Sequence, residues 1–363
     1  MSIDKDVNDT LKVSFQFVNP STISESGPKD NSEPIIKTVS STSLSSAINL
    51  IDNFIGKEIS LSHCKLIVFS EELAKEGLED KIFTLINDIQ IRPSTNIIIS
   101  KCSANYYIEN SKPSLETLLA KYYEIFLNSS QFTGFTSNAT IGDFFDKMIS
   151  PSCNPCAILG GININIPNEK NEINFTPNST TLSSNLSSEN IGLAIFKKGK
   201  MVGELNAIET LSYMCFKNSV NGFLISVPYS SKNSNYLDAY LIPNKKPKIE
   251  VSLINGSPYI DITYNFSGRI YSIDNNSNYL NSNILDSISA SCNIYLKNIF
   301  LSYLYKTSKD FKSDINDIGS HALKLFFTNS DFKDFDWNST YKDSFFNVSV
   351  NTNIKSASLL NES

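Results

Sequence analysis

Histidine and tryptophan are scarce in this chain, and no stretch of it is strongly basic or uniformly apolar. Among 363 residues there are 2 histidines and 1 tryptophan, and 37 acidic side chains outnumber 31 basic ones. Binding to nucleic acid needs clustered lysine and arginine, so the composition argues against that class of partner. No window reaches the roughly 18 consecutive apolar residues of a membrane-spanning helix. The first 20 residues lack the basic and apolar regions of a signal peptide, so we expect the chain as given to be soluble.

Six cysteines are present, and only Cys153 and Cys156 form a C-x-x-C pair. A redox pair of this type needs a helix that starts at the motif and lowers the pKa of the first thiol. Here the helical pattern ends at Ile149, and Pro151 and Pro155 flank the cysteines. A zinc site would need two more ligands, and no second C-x-x-C exists. We therefore predict thiols in a turn or extended segment, and keep a thiol–disulfide function as an alternative.

The remaining candidate residues give no catalytic, cofactor or metal site. His63 and Cys64 are adjacent on a predicted strand and would point to opposite faces, so they cannot form a nucleophile–base pair. His321 is placed on the polar side of a late helix. No glycine-rich phosphate loop and no G-x-S-x-G elbow is present. An aromatic group is predicted to pack in the core, and its members are Phe332, Phe335, Trp337 and Tyr341.

Hydrophobic periodicity predicts an α+β fold with mixed sheets packed by helices. Leu11 to Val18 alternates as a half-buried strand, and helical spacing from Leu44 ends at Gly56. Strand, helix and strand between 65 and 100 predict a βαβ unit with parallel strands. The other predicted elements are a helix from Leu115 to Phe126, a helix at 141–149, a hairpin at 191–205, a helix at 207–216, four strands between 222 and 267, helices at about 281–306 and 311–327, and a strand at 345–355.

A chain of 363 residues predicts two or three domains. Two polar, proline-containing stretches, 20–34 and 163–190, are expected to be loops, and we leave open whether they only connect elements or also contact partners.

Four stretches, taken in order, resemble a known family. They are KVSFQFVNPS from residue 12, HCKLIVFSEELAKEGLEDKIFTLINDIQIRPSTNIIISK from residue 63, SSENIGLAIFKKGKMVGELNAIETLSYM from residue 187, and DWNSTYKDSFFNVSVNTNIKSASLL from residue 336. They are similar to the first long strand, the N-terminal domain, the hairpin with its following helix, and the closing strand of the Ger(x)C family, the C subunits of spore germinant receptors. None of the six cysteines stands at that family's lipid-anchoring position.

The resemblance implies an ectodomain of three consecutive α+β domains, at 1–130, 131–218 and 219–363, with no enzymatic activity and no cofactor. It also implies an N-terminal lipid anchor in the precursor, on the outer face of the spore inner membrane, beside a multi-pass A subunit and a transporter-like B subunit. The complex would convert binding of a small nutrient germinant into germination, and whether the germinant acts on this subunit directly stays open. One alternative is a solute-binding lipoprotein that holds the nutrient itself, and another is a thiol–disulfide protein that uses Cys153 and Cys156.

Overall fold

A computed structural model describes residues 1–17, 23–24, 27–28, 34–56, 59–111, 119–162, 189–228, 236–273 and 282–355. The chain divides into two compact units. The first consists of Met1–Asn128, Asn138–Ile149 and Pro155–Asn206, and the second of Ser129–Ser137, Ser150–Asn154 and Ala207–Ser363. The division into three domains stays a prediction, and most of the two predicted polar loops lies outside the described residues.

The first unit is built on an eight-stranded mixed sheet. Its strands are β1 (Ser2–Lys5), β2 (Leu11–Phe17), β5 (Ile35–Ser41), β6 (Leu66–Ser70), β7 (Asn96–Ser100), β8 (Cys156–Gly160), β9 (Leu193–Lys197) and β10 (Lys200–Leu205). Their order is β10-β9-β8-β7-β6-β1-β2-β5, and a separate pair joins β3 (Ile23–Ser24) and β4 (Gly27–Pro28). Strands β1, β6, β7 and β8 run parallel, and the outer strands pair antiparallel.

Helices cover both faces of this sheet. They are α1 (Leu44–Ile55), α2 (Glu71–Glu76), α3 (Glu79–Asn87), α4 (Ala104–Asn110), α5 (Leu119–Thr133) and α6 (Ile141–Ile149). Ile67 and Phe69 of β6 lie in one core cluster with residues of α1, α2, α3 and α6, whereas Leu66 and Val68 lie in another with residues of α4 and α5. The central strands are apolar throughout because they are buried on both faces.

The second unit contains a five-stranded sheet, two longer helices and three short ones among its described residues. Its strands are β11 (Phe223–Pro228), β12 (Tyr236–Pro243), β13 (Lys248–Ile254), β14 (Ser257–Ile273) and β15 (Phe345–Ile354). Its helices are α7 (Ala207–Lys217), α8 (Ser282–Tyr305), α9 (Gly319–Ala322), α10 (Asn329–Phe335) and α11 (Trp337–Thr340). Strand β15 pairs parallel with β14, whereas β12 and β13 pair antiparallel with it. Tyr264 and Phe300 join sheet to helix, with ring centroids 4.4 Å apart.

Most predicted elements are confirmed, including the α+β class with mixed sheets. Helix α1 ends at Gly56, which adopts φ 67° and closes the helix as expected of glycine at that position. Strands β6 and β7 are parallel, as the βαβ pattern predicts. The helix expected from Leu115 is described only from Leu119 onward.

The predicted second long helix at 311–327 is wrong. Within that range the α-helix extends only over Gly319–Ala322, and Lys312 and Asp317 adopt φ of 52° and 61°. The reason is the side chain of Asp314, which accepts hydrogen bonds from backbone N–H groups that an α-helix would use.

Candidate functional site

A small pocket lies at the amino ends of β6 and β7. These two strands are parallel and adjacent, so the residues that precede them meet at one edge of the sheet. The backbone N–H of Asn96 donates to Lys65 O at 3.1 Å, and the hydroxyl of Thr95 donates to Cys64 O at 3.1 Å. The pocket has a volume of about 150 Å³ and is lined by Ser62, His63, Cys64, Lys65, Arg92, Ser94, Asn96, Glu124, Leu127 and Asn138.

The two basic side chains of this pocket have no acidic partner among the described residues. In the part of the chain that the structure describes, no carboxylate lies within ion-pair distance of Lys65 or Arg92. Glu124 is the acidic residue of the lining. Asn96 has a buried Oδ1 atom that no donor contacts among the described residues. The pocket therefore combines two cationic side chains with a polar floor.

A larger cleft lies at the opposite, carboxyl edge of the parallel strands β1, β6 and β7. It has a volume of about 610 Å³ and is lined by Asp4, Lys5, Asp6, Lys12, Ser70, Glu71, Glu72, Lys75, Lys101, Cys102, Ser103 and Asn105. Lys101 Nζ lies 3.2 Å from a carboxylate oxygen of Glu71 and 2.8 Å from one of Glu204. Lys75 also contacts Glu71, at 2.8 Å. Burial would raise the pKa of Glu71, but hydrogen bonds from Lys75 and Lys101 hold it below its usual range.

The carboxylate of Asp4 has a structural role in this cleft. It accepts hydrogen bonds from the backbone N–H groups of Ala104 at 2.6 Å and Asn105 at 2.7 Å, in the first turn of α4. Because the carboxylate is largely buried, its pKa is raised. Asp4 thus caps α4, together with Ser103, which accepts from Tyr106 N at 3.2 Å.

The C-x-x-C pair lies where the sequence predicts, after helix α6 and at the start of β8. Cys153 and Cys156 have exposed fractions of 6% and 3%. All six cysteines are among the described residues, and none forms a disulfide bond. Burial and the absence of a helix N-terminus at the motif do not favour a thiolate that reacts with a substrate disulfide.

The residues around Cys153, Ser150–Asn154, form a strap that is bound tightly within the second unit. Asn154 N donates to Asp314 O at 2.7 Å, and the Asn154 amide donates to Asn338 Oδ1 at 2.9 Å. The hydroxyl of Ser152 donates to Asp317 Oδ1 at 3.1 Å. The residues on either side of Cys153 therefore have a structural role within the second unit.

The fully buried carboxylate of Asp314 lies at the centre of the loop that the strap contacts. It accepts hydrogen bonds from Asn316 N at 3.0 Å, Gly319 N at 2.8 Å and Trp337 Nε1 at 2.9 Å. Burial raises the pKa of Asp314 to about 6, although hydrogen bonds from Gly319, Trp337 and Ile318 act in the opposite direction. Each of these hydrogen bonds fixes the conformation of the loop, so the carboxylate of Asp314 has a structural role.

The other residues singled out in the sequence are the two histidines and the aromatic group. His63 ends a short 3-10 turn, Leu61–His63, before β6 begins, and it lines the amino-edge pocket. His321 is half-buried in α9, and burial lowers its pKa. Core packing is confirmed for Phe332, Trp337 and Tyr341, whereas Phe335 is only partly buried. Trp337 is 1% exposed and stacks on Phe332, with ring centroids 6.5 Å apart. Among the residues described, no group of three or more histidine, cysteine or acidic side chains could hold a metal ion.

One helical surface of the first unit exposes aromatic and aliphatic side chains. Phe83 of α3 and Phe145 of α6 pack edge to face, with ring centroids 5.3 Å apart. Ile149, one turn after Phe145 on α6, is 57% exposed. We call Phe83, Phe145 and Ile149 the α3–α6 patch. Aromatic groups on an otherwise charged surface are typical of protein–protein contact sites.

Two family models match the chain in order along its length. The model described as the spore germination protein N-terminal domain matches residues 1–163. The model described as spore germination B3/GerAC like, C-terminal, matches residues 191–358. No curated protein matches the chain. In the described segments, no helix has the length and hydropathy that would let it cross a bilayer.

A solved crystal structure of the GerBC protein is similar in fold. The superposition has a TM-score of 0.53 at 16% sequence identity, and it covers 97% of this chain and 96% of that chain. At this identity the likeness concerns the fold, and the two family models carry the assignment. The chain belongs to the GerAC-like, or Ger(x)C, family of spore germination proteins, the C subunits of germinant receptors.

Proposed function

We propose that this chain is the non-enzymatic C subunit of a nutrient germinant receptor and acts through contacts with the membrane-embedded A and B subunits. The observation that carries the proposal is the ordered match of both family models, over residues 1–163 and 191–358. In the full-length precursor, the subunit is anchored by lipid to the outer face of the spore inner membrane.

The state of the candidate chemical groups supports a role without catalysis. The lysines at the centre of the carboxyl-edge cleft are paired with carboxylates, and Asp314 is enclosed by three donors. A catalytic acid or base needs access to substrate and a place for it to bind, which the buried Asp314 does not have.

The α3–α6 patch is the surface that we propose contacts a partner subunit. Phe83 is 42% exposed although it already packs against Phe145. Replacement of Phe83 and Ile149 by serine removes apolar contact area without opening the core. The matched control is Ile294→Ser, since Ile294 is an equally exposed aliphatic residue on α8 of the second unit, with an exposed fraction of 63%.

The primary test is a germination assay on spores that lack only this gene. Nutrient mixtures and a receptor-independent trigger are applied side by side, and other receptors are deleted so that they cannot compensate. We expect the nutrient response to be lost and the independent response to be normal. Normal responses to both triggers would overturn the proposal. In the complemented strain, we expect F83S/I149S to reduce co-purification of the A and B subunits, and I294S to leave it unchanged.

The two alternative functions, thiol–disulfide exchange and solute binding, are tested by separate measurements. A thiol–disulfide function predicts that Cys153→Ser with Cys156→Ser abolishes germination, whereas the receptor-subunit proposal predicts a nearly normal response. A solute-binding lipoprotein predicts micromolar binding of amino acids or sugars to the isolated chain by calorimetry. Anchoring is tested by labelling the full-length precursor with a fatty acid and fractionating the spore membranes.

A further inference from the structure

We propose that the amino-edge pocket of the first unit is a binding site for a small oxyanion, of the carboxylate or phosphate class, held between Lys65 and Arg92. This inference does not depend on the proposed receptor function. It rests on the convergence of unpaired cations, on the rigidity of the loop that carries Arg92, and on the size of the pocket.

Two cations without an ion-pair partner among the described residues, Lys65 and Arg92, line the same small pocket. Elsewhere in the described chain, six lysines lie within ion-pair distance of a carboxylate, and they are Lys5, Lys75, Lys101, Lys147, Lys248 and Lys306. Lys65 and Arg92 line one small pocket and have no such partner in the described parts of the chain. With Glu124 as the acidic residue of the lining, the positive charges of Lys65 and Arg92 outnumber the one negative charge. A monoanion would therefore find a net charge that attracts it.

The loop that carries Arg92 is fixed by hydrogen bonds on both sides. Thr95 N donates to Arg92 O at 2.9 Å, and Gly142 N donates to Pro93 O at 2.9 Å. Ile141 N donates to Thr95 O at 2.8 Å, and Thr95 itself is 2% exposed. A loop held in this way presents its side chains at little entropic cost on binding, which is the basis of preorganised recognition.

The side chain of Asn96 adds polar atoms to the lining of the pocket. Its Oδ1 is buried and has no hydrogen-bond partner within the described chain. The hydroxyl groups of Ser62 and Ser94 also belong to the lining. The guanidinium of Arg92 has the planar fork that matches carboxylate and phosphate oxygens. The donors of the pocket thus fit an anion with two or more oxygens.

The size of the pocket limits the ligand class. Drug-sized ligands occupy pockets of roughly 300–1,000 Å³. A volume of about 150 Å³ suits an anion of a few heavy atoms and excludes a nucleotide. Inorganic phosphate and acetate are therefore suitable probes, and they separate the phosphate source from the carboxylate source.

The test is calorimetric titration of the purified chain with phosphate, and separately with acetate, at low ionic strength in chloride. We expect at least one probe to bind, with affinity reduced about tenfold by Arg92→Ala and by Lys65→Ala, the loss expected for one charge-assisted hydrogen bond. Glu124→Gln should increase the affinity, because it removes the negative charge that faces the anion. Lys324→Ala, which removes an exposed lysine of the second unit, should change nothing.

The outcomes are distinct. Binding of phosphate alone assigns the site to phosphate compounds, and binding of acetate alone assigns it to carboxylates. The proposal is overturned if neither probe binds, or if R92A and K65A bind as well as K324A does. Arg92 and Lys65 are exposed, so both variants should fold, and circular dichroism with thermal unfolding checks this.

Discussion

The carboxyl group of Asp314 should make the stability of the second unit depend on pH. Its pKa is about 6 in the folded chain against an ordinary value of 3.8. Between these two pH values the folded state binds more protons than the unfolded state, so the free energy of unfolding falls as pH rises through that window. A difference of roughly two pKa units corresponds to about 3 kcal/mol. Urea unfolding at pH 4 and pH 7 measures this change.

Comparison with Asp314→Asn isolates the contribution of this residue from those of other carboxyl groups. The variant should be less stable, because its amide places N–H groups against the donors of Gly319 or Trp337, and its stability should vary less with pH. Trp337→Phe removes one donor to the ionised form and should raise the pKa of Asp314 further. Equal pH dependence in the wild-type chain and in D314N would contradict the assignment.

Gly319 is required for close packing of the strap against the same loop. A Cβ atom at this position would lie 2.3 Å from Ser152 O and 2.7 Å from the ring of Trp337. Both neighbours are held by hydrogen bonds or burial, so Gly319→Ala should lower the free energy of unfolding by about 3 kcal/mol. Chemical denaturation measures the loss.

The matched control for that substitution is Gly256→Asn. Gly256 has a φ of 82° and no atom within 4 Å of the added Cβ, and asparagine tolerates this backbone region. We expect it to cost less than about 1 kcal/mol. Similar losses in G319A and G256N would show that the strap is not packed as described.

At the scale of single elements, helix α4 should depend on Asp4, which is 100 residues away in sequence. Asp4→Ala leaves the N–H groups of Ala104 and Asn105 without their acceptor and should cost about 2 kcal/mol. Asp4→Asn retains one acceptor oxygen and should cost less. Hydrogen exchange at the two amides and urea unfolding measure the effect. Asp146→Ala, on the exposed side of α6, is the control, and an equal loss there would argue against capping.

The hydrophobic pattern of the sequence predicts an element well where core-facing residues recur with the period of that element. Strand β2 places Val13 and Phe15 in the core and Ser14 against Asn105 of α4 at 2.7 Å, as alternation requires. Strand β1 has only four residues, so its alternation carries almost no signal, and its place between β6 and β2 depends on long-range pairing. The prediction of a long helix at 311–327 is wrong for another reason. Hydrogen bonds to the side chain of Asp314 override the helical propensity of this segment.

The residues of the amino-edge pocket also show that prediction from the sequence is limited where a site depends on long-range strand pairing. His63 and Arg92 lie in separate segments of the sequence, and neither suggests a shared site. Their proximity follows from the parallel pairing of β6 and β7, which brings the amino ends of both strands to one edge. The parallel pairing of β15 with β14 joins residues 86 positions apart, as in the contact between Asn347 and Asp261, and no local pattern encodes it.

At the scale of the whole molecule, the distribution of thiols distinguishes a scaffold from a thiol–disulfide protein. Cys153, Cys156, Cys215 and Cys292 are buried, and only Cys64 and Cys102 are partly exposed. Burial raises the pKa of Cys292 to about 11, which further disfavours its reactive thiolate.

We therefore expect a thiol reagent to modify about two cysteines quickly in the native chain and all six after unfolding in urea. Mass spectrometry of peptides should find the fast label on Cys64 and Cys102. The variant C64S/C102S is the control, and it should show almost no fast reaction. Fast labelling of Cys153 or Cys156 would mean that the strap opens in solution. That result would weaken the structural role of the C-x-x-C segment and bring the thiol–disulfide alternative forward, because exchange requires a thiol that its partner can reach.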